Sequence, residues 1–451
     1  MLPQYKQALL PLWPASNNIA LSQTANPITN SSNELDPADR PFHEWYRFVL
    51  SFPPHLVRDY LHDFNLQVND LVLDPFCGTG TTLVEAKLNR IKAVGIEANP
   101  FPHFASKVKV NWRVAPAELS AFIEEIVEKS LQTLAVQGID DYSLTTSSPS
   151  PLRQLSPQAE KALITNSISP LPLHKSLVLL EHLQQYQTLS VYQYGLLALG
   201  NALVNHIGNL KFGPEVGVGK PKLDVPVVAA WKHEAQKMVA DLQTVQEGEY
   251  PEAAVYLGDA RNVSQILAPC SVDAVITSPP YPNEKDYTRT TRLESVILGF
   301  FADMAQLRLH KQRLLRSNTR GVYVVDDDDQ WISANPRIQK LAESIEQRRI
   351  ALGKTSGFEK LYARVTRLYF GGMARHLAEL TAVLKPGAQL AYVVGDQASY
   401  LQVLIKTGEL LAEIAAELGY EVQRIDLFRT RFATATQAEL REEVIVMRWP
   451  G

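Results

Sequence analysis

Five short, mainly apolar runs, residues 71–73, 91–96, 255–257, 272–276 and 391–394, end at an acid, a glycine or, for 272–276, the segment Thr277-Ser278-Pro279-Pro280. Runs of this length with such boundaries predict buried strands. Apolar residues at helical spacing over 44–64, 83–88, 119–127 and 173–180 predict helices that pack against them. The first two strands are expected to end near Val72 and Ile96, with residues 100–112 leaving the sheet. Residues 113–250 then read as a mainly helical insertion, with a Ser/Pro-rich connector at 145–157 and a flexible loop at 211–220. Residues 1–42, rich in Asn, Ser, Pro and Thr, predict an extended lead-in. No internal repeat emerges.

A chain of 451 residues that is 45% hydrophobic buries a large core, as one domain with big insertions or as two. Cys77 and Cys270 stand far apart, giving no disulfide framework and no metal-ligand cluster. A reducing cytoplasm is the expected setting. The first residues lack a charged segment followed by an apolar one, and no run reaches the roughly 18 apolar residues of a membrane helix. The apolar stretch 194–201 is too short and reads as a buried helix.

The formal net charge of −4 conceals segregation. Residues 285–375 carry 17 Lys and Arg against 10 Asp and Glu. Within this segment Arg289, Arg292, Arg308, Lys311, Arg313, Arg316 and Arg320 are candidates for phosphate contact, a solvated helix face being the alternative. The four acids at 326–329 read as a solvated loop tip. The insertion 113–250, with 10 basic and 14 acidic residues, does not look like a DNA clamp.

The candidate chemistry begins at Ser278-Pro279-Pro280-Tyr281, directly after the strand pattern 272–276. Pro279 and Pro280 lack an N–H, so their carbonyls accept without a competing donor. Ser278 adds a hydroxyl acceptor and Tyr281 a stacking face. The exocyclic amine of a base is a poor nucleophile because its lone pair is delocalised into the ring. Acceptors that hold its two hydrogens out of plane push the nitrogen towards sp3 and free that pair. Positioning of this kind supplies several kcal/mol, roughly 7 to 11 at its favourable limit. A rigid turn after a strand is the alternative for Pro-Pro-Tyr alone.

A second motif bears on the choice. The run Asp74-Pro75-Phe76-Cys77-Gly78-Thr79-Gly80-Thr81 follows a strand pattern and opens a helical one. Its glycines permit close backbone approach, and the helix start offers unpaired N–H groups to a phosphate or a carboxylate. No Lys follows, as a phosphate loop requires, and no third glycine stands where a dinucleotide fingerprint needs it. The amino-acid carboxylate of S-adenosylmethionine fits better. Glu97 ends the next strand pattern about 20 residues on, the offset at which an acid meets a ribose hydroxyl.

This ordered set resembles the S-adenosylmethionine-dependent DNA amino-methyltransferases, bacterial modification methylases that act on cytosine N4 or adenine N6. Their catalytic motif is Asp, Asn or Ser before Pro-Pro and an aromatic, and the serine form, matched by Ser278 to Tyr281, is associated chiefly with cytosine N4. The resemblance implies cofactor-binding roles for Asp74, Pro75, Phe76, Gly78, Gly80 and Thr81, for Glu97 at the ribose, and for Asp259 and Ala260 near the adenine. Phe52 and Pro53 are similar to the family's upstream aromatic-proline motif. Residues 384–394 resemble its later helix-turn-strand, and 443–449 its closing strand.

The implied fold is α/β, a Rossmann-like methyltransferase sheet with a large, mainly helical insertion. Residues 43–112 and 251–451 would form the methyltransferase domain, with 283–365 as a basic insertion contacting DNA. The implied partners are double-stranded DNA and a cognate restriction endonuclease, in a bacterial cytoplasm at the nucleoid. Pro269-Cys270 superficially resembles the nucleophile of cytosine-C5 methyltransferases, but its neighbours do not match and it reads as a bridging-loop cysteine. The motif order, with one long segment before Asp259 and another after Tyr281, does not sit neatly in the family's usual permutations. Adenine-N6 transfer, guanine-N2 transfer in RNA, protein-glutamine methylation and a non-catalytic nucleic-acid-binding module remain as alternatives.

Overall fold

In the computed structural model, residues 28, 30–48, 51–142, 151–213, 215–283, 285–433 and 438–451 are described. Residues 1–27 and 29 of the lead-in expected at 1–42, and residues 145–150 of the connector at 145–157, lie outside them. Among the described residues nine strands form in chain order: β1 (Leu71–Asp74), β2 (Lys92–Glu97), β3 (Leu210–Lys211), β4 (Gly217–Val218), β5 (Ala253–Leu257), β6 (Val272–Thr277), β7 (Leu384–Gly395), β8 (Glu421–Ala433) and β9 (Ala438–Arg448). Seven of them make one sheet in the order β5-β2-β1-β6-β7-β9-β8, with β3 and β4 apart as a small hairpin. β5 through β7 pair in parallel, whereas β9 runs antiparallel between β7 and β8.

The apolar runs are continuous because helices cover both faces. Alternate residues feed opposite cores: Val72, Ile276 and Ala391 pack on one side, Leu73, Val275 and Leu390 on the other. The first core takes in the apolar stripes of helices Pro116–Val136, Pro170–Gln184, Val191–Ala202 and Val227–Val245, so the segment 113–250 shares its hydrophobic interior with the sheet. The second is filled by helix Tyr362–Leu380, including Tyr369 and Phe370, and by helix Thr407–Glu417.

Several expectations are corrected. The single helix over 44–64 is instead a 3-10 turn, His43–Trp45, and a separate helix, Pro54–Asp63. Pro53 and Pro54 explain the break, since proline lacks the N–H that a helix interior needs yet suits a first turn. Residues 211–220 contribute to the β3–β4 hairpin rather than a plain loop, residue 214 lying outside the described residues. The acids at 326–329 are not a solvated tip. Asp328 is 4% exposed and pairs with Arg261 and Arg375, and Asp326 pairs with Arg316 at 2.8 Å. No described helix is long and apolar enough to cross a membrane.

Candidate active site at the strand crossover

The chain runs outward from β1 to β2 and β5, then returns to lay β6 on the other side of β1. Between β1 and β6 the connections diverge, and an open α/β sheet places its ligand at such a point, beyond the carboxyl ends of the strands. The loops after β1 and β6 carry the two motifs. Asp74 joins them: its Oδ1 accepts from the Thr277 hydroxyl at 2.6 Å and from the Phe76 N–H at 3.1 Å. Burial pushes the Asp74 carboxyl up to about 6, against the pull of these donors.

Gly78 and Gly80 adopt φ of 51° and 83°, the left-handed region that disfavours a side chain. At Gly80 a Cβ would also meet Ser106 at 3.1 Å. The loop is tied to the end of β2, because the Gly78 N–H donates to Glu97 Oε2 at 2.8 Å and the Asn99 N–H to Oε1 at 2.7 Å. Burial raises the Glu97 carboxyl to about 7.

These elements border a cleft of about 730 Å³. Of the residues expected to bind cofactor, Phe52, Pro75, Phe76, Gly78, Thr81 and Glu97 line it, joined by Asp259 and Ala260 after β5. Pro53, Asp74 and Gly80 are outside its lining. Asp259 also accepts from the Arg261 N–H at 2.9 Å and from the Arg261 guanidinium at 2.7 Å. Arg261 reaches on to Asp328 and to the Arg313 carbonyl, so it fastens the cleft to the basic segment. Beneath Ala260, the His376 Nδ1 lies 2.9 Å from the Ala260 carbonyl and Nε2 lies 2.7 Å from the Tyr392 hydroxyl. Burial lowers His376 to about 4. A neutral ring facing a carbonyl must carry its hydrogen on Nδ1, leaving Nε2 to accept from Tyr392. The same ring stands edge-on to Phe76, at 4.9 Å.

Ser278, Pro279, Pro280 and Tyr281 line the cleft together. The Ser278 hydroxyl donates to the Val393 carbonyl at 3.1 Å. With its hydrogen committed there, the oxygen presents lone pairs. The Tyr281 N–H donates to the Tyr287 hydroxyl at 3.3 Å, and burial raises the Tyr281 phenol above its ordinary range. Gly395 at the end of β7 gives the Tyr281 ring its place, since a Cβ there would stand 2.9 Å from the ring. Tyr287, Gly395, Arg261 and His376 escaped the sequence reading. Cys77 lines the cleft with its thiol pushed up by burial, and the exposed Cys270 is outside the lining.

The basic residues divide. Arg313 is exposed at the cleft, and Arg320, also exposed, lies 3.6 Å from Glu215. Arg289 donates to the Val216 carbonyl at 3.1 Å. Arg292 is buried against Thr288 and the Ala162 carbonyl. Arg316, 4% exposed, binds Asp326 through two nitrogens and the carbonyls of Lys311, Gln312 and Leu314. Arg292 and Arg316 therefore hold the protein together and are turned from solvent.

A mostly parallel sheet that presents a glycine loop and a Pro-Pro-aromatic loop at one switch point is the framework of a Rossmann-like methyltransferase. Residues 12–105 match the model of the N6/N4 family described as DNA methylase. The chain is 23% identical over 443 residues to the type II methyltransferase M.BsoBI of Geobacillus stearothermophilus, covering 88% of this chain and 82% of that protein. It is 30% identical over 194 residues to the type II methyltransferase M.AvaI of Nostoc, covering 40% of this chain and 38% of that protein. A tRNA (guanine(10)-N2)-dimethyltransferase of Methanothermobacter thermautotrophicus is 29% identical over 121 residues, 27% of this chain and 28% of that protein. These matches support a DNA amino-methyltransferase of the N4/N6 family.

Proposed function

We propose that this protein methylates the exocyclic N4 amine of cytosine at a specific site in double-stranded DNA, with S-adenosylmethionine as donor and the base flipped out of the helix. The observation that carries the reading is the Ser278 hydroxyl, which spends its hydrogen on Val393 and faces the cleft as an acceptor beside Tyr281. A base inside a duplex cannot enter such a cleft, and extrusion costs a few kcal/mol. Ser278 and the Pro279 carbonyl accept hydrogen bonds from the two amine hydrogens while Tyr281 stacks on the ring, leaving the nitrogen lone pair free for methyl transfer; the methylated, cationic amine then loses one of those protons to water. No covalent enzyme intermediate is needed, in keeping with a cleft whose cysteine is held as the thiol.

The residues present fit the cofactor. Thr79 lines the cleft with a buried hydroxyl that has no partner among the described residues. Each Glu97 oxygen accepts one backbone N–H and keeps a lone pair for a ribose hydroxyl. The glycine loop and the start of helix Thr81–Leu88 suit a carboxylate, and Phe76, Asp259 and Ala260 suit the adenine. When bound, S-adenosylmethionine supplies a methyl group activated by a positive sulfur. Residues 43–112 and 251–451 are assigned to methyl transfer, 113–250 to support, and 283–365 to DNA contact. A restriction endonuclease reading the same sequence is the proposed partner.

Two consequences are measurable. Ribose hydroxyls donate to a carboxylate, so affinity for S-adenosylmethionine rises as Glu97 ionises, with a midpoint near its raised value of about 7 in calorimetric titrations. Glu97→Gln loses this dependence and binds weakly throughout. Gly395→Ala displaces the Tyr281 ring, and turnover falls about 10²-fold with cofactor affinity kept, as a misplacement of about 1 Å costs. The reading itself is tested by incubating the protein with labelled S-adenosylmethionine and either duplex DNA or transfer RNA. Label in N4-methylcytosine supports it; label confined to N2-methylguanine of RNA overturns it.

A further inference from the structure

Val324 and Val325 are 91% and 79% exposed, side by side on the basic segment. They sit at the tip of a turn that is firmly held. The Asp326 N–H donates to the Tyr323 carbonyl at 3.2 Å, and the Tyr323 N–H to Asp326 Oδ2 at 2.6 Å. Arg316 grips the same Asp326 carboxylate, and one Arg364 nitrogen spans the carbonyls of Tyr323, Val324 and Asp326 at 3.2 to 3.4 Å. Two arginines and a carboxylate thus fix a tip that presents only aliphatic surface.

Its surroundings are charged and close to the cleft: Asp326 to Asp329 follow the tip, with Asp326 and Asp328 bound by arginines. Gly321, three residues before the tip, lines the cleft, as does Arg313. The guanidinium groups of Arg308 and Arg316 lie over the Tyr323 ring, at 5.8 and 5.4 Å from its centre. Arg308, Arg313 and Arg320 are exposed. Exposed arginines on the segment that carries a rigid aliphatic point match a partner with anionic edges and an apolar interior, which is the section of a nucleic-acid duplex. Aliphatic wedges enter between base steps and unstack them, and a flipped base leaves such a gap.

We infer that Val324 and Val325 form a wedge that enters the base stack of duplex DNA and stabilises the extruded state of the target base. The inference rests on the proposed base-flipping activity. Val324 and Val325 are outside the lining of the cleft, so their contribution is confined to opening the duplex.

The test uses the full chain and a duplex bearing the site found by sequencing host DNA for modified bases, either fully paired or with an abasic position opposite the target. Unstacking costs a few kcal/mol per step, so the Val324→Ser/Val325→Ser variant methylates the paired duplex about 10- to 100-fold more slowly than wild type. On the abasic duplex, where extrusion is already cheap, it comes within about threefold. Val324→Leu/Val325→Leu keeps most activity on both. Val136→Ser, at a position 90% exposed at the end of helix Pro116–Val136, changes neither rate. An unaltered rate on the paired duplex, or an equal loss on both, overturns the wedge, the second outcome making the tip a general docking contact. Wild-type protein that modifies no DNA at all refutes the proposed function, and the wedge falls with it.

Discussion

Alanine at Ser278 lowers turnover about 10²-fold with little change in affinity for S-adenosylmethionine. The Ser278 hydroxyl gives its hydrogen to Val393 and so meets the amine only as an acceptor, an interaction that strengthens as the nitrogen becomes tetrahedral. Removing one hydrogen-bonding group aimed at a transition state costs about 10² to 10³ in turnover in comparable sites. Tyr281→Ala is expected to lose about as much by freeing the base to rotate, the penalty of lost orientation. Neither residue touches the Gly78–Glu97 or Asp74–Thr277 hydrogen bonds that shape the other half of the cleft. The two variants therefore separate catalysis from cofactor binding. Single-turnover rates beside calorimetric titrations check this, and unchanged methylation of a cognate duplex by the double variant refutes the assignment.

The second large effect concerns arginines that look alike in sequence and behave oppositely. Arg316→Ala leaves the buried Asp326 carboxylate without its guanidinium and strips three carbonyls of a donor. Breaking a buried, hydrogen-bonded ion pair from one side costs about 3 to 5 kcal/mol, a loss visible as a lower denaturation midpoint. Arg313→Ala removes an exposed cation at the cleft mouth and leaves stability nearly unchanged. There the loss appears in binding: weaker affinity for all DNA sequences, and a salt slope smaller by about 1. Equal stability of the two variants in denaturant titrations would contradict this division.

The contrast shows what a sequence can carry. The cofactor and base-binding chemistry was legible because it lies in contiguous motifs, Asp74 to Thr81 and Ser278 to Tyr281, each fixed to the end of an apolar strand. Strands β1, β2, β6 and β7 were legible for the same reason, being buried on both faces. β8 was not, because its run Glu421-Val-Gln-Arg-Ile-Asp-Leu-Phe-Arg mixes charge with apolar residues, as suits the outermost strand of the sheet. Nor could composition tell a phosphate-seeking arginine from a structural one. Arg261 meets Asp328 across 67 positions, and no local pattern announces that pairing. Gly395 and His376 were silent likewise, since each acts through a ring brought near by folding, Tyr281 in one case and Phe76 in the other.

The central claim is that Ser278-Pro279-Pro280-Tyr281 methylates cytosine N4 in duplex DNA at one sequence. Its most direct test is modification-sensitive sequencing of DNA from a methylation-free host expressing either the protein or its Ser278→Ala variant. N4-methylcytosine at a single recurrent sequence, lost in the variant, is the result expected. N6-methyladenine at a recurrent sequence, or no modified base at all, would contradict it.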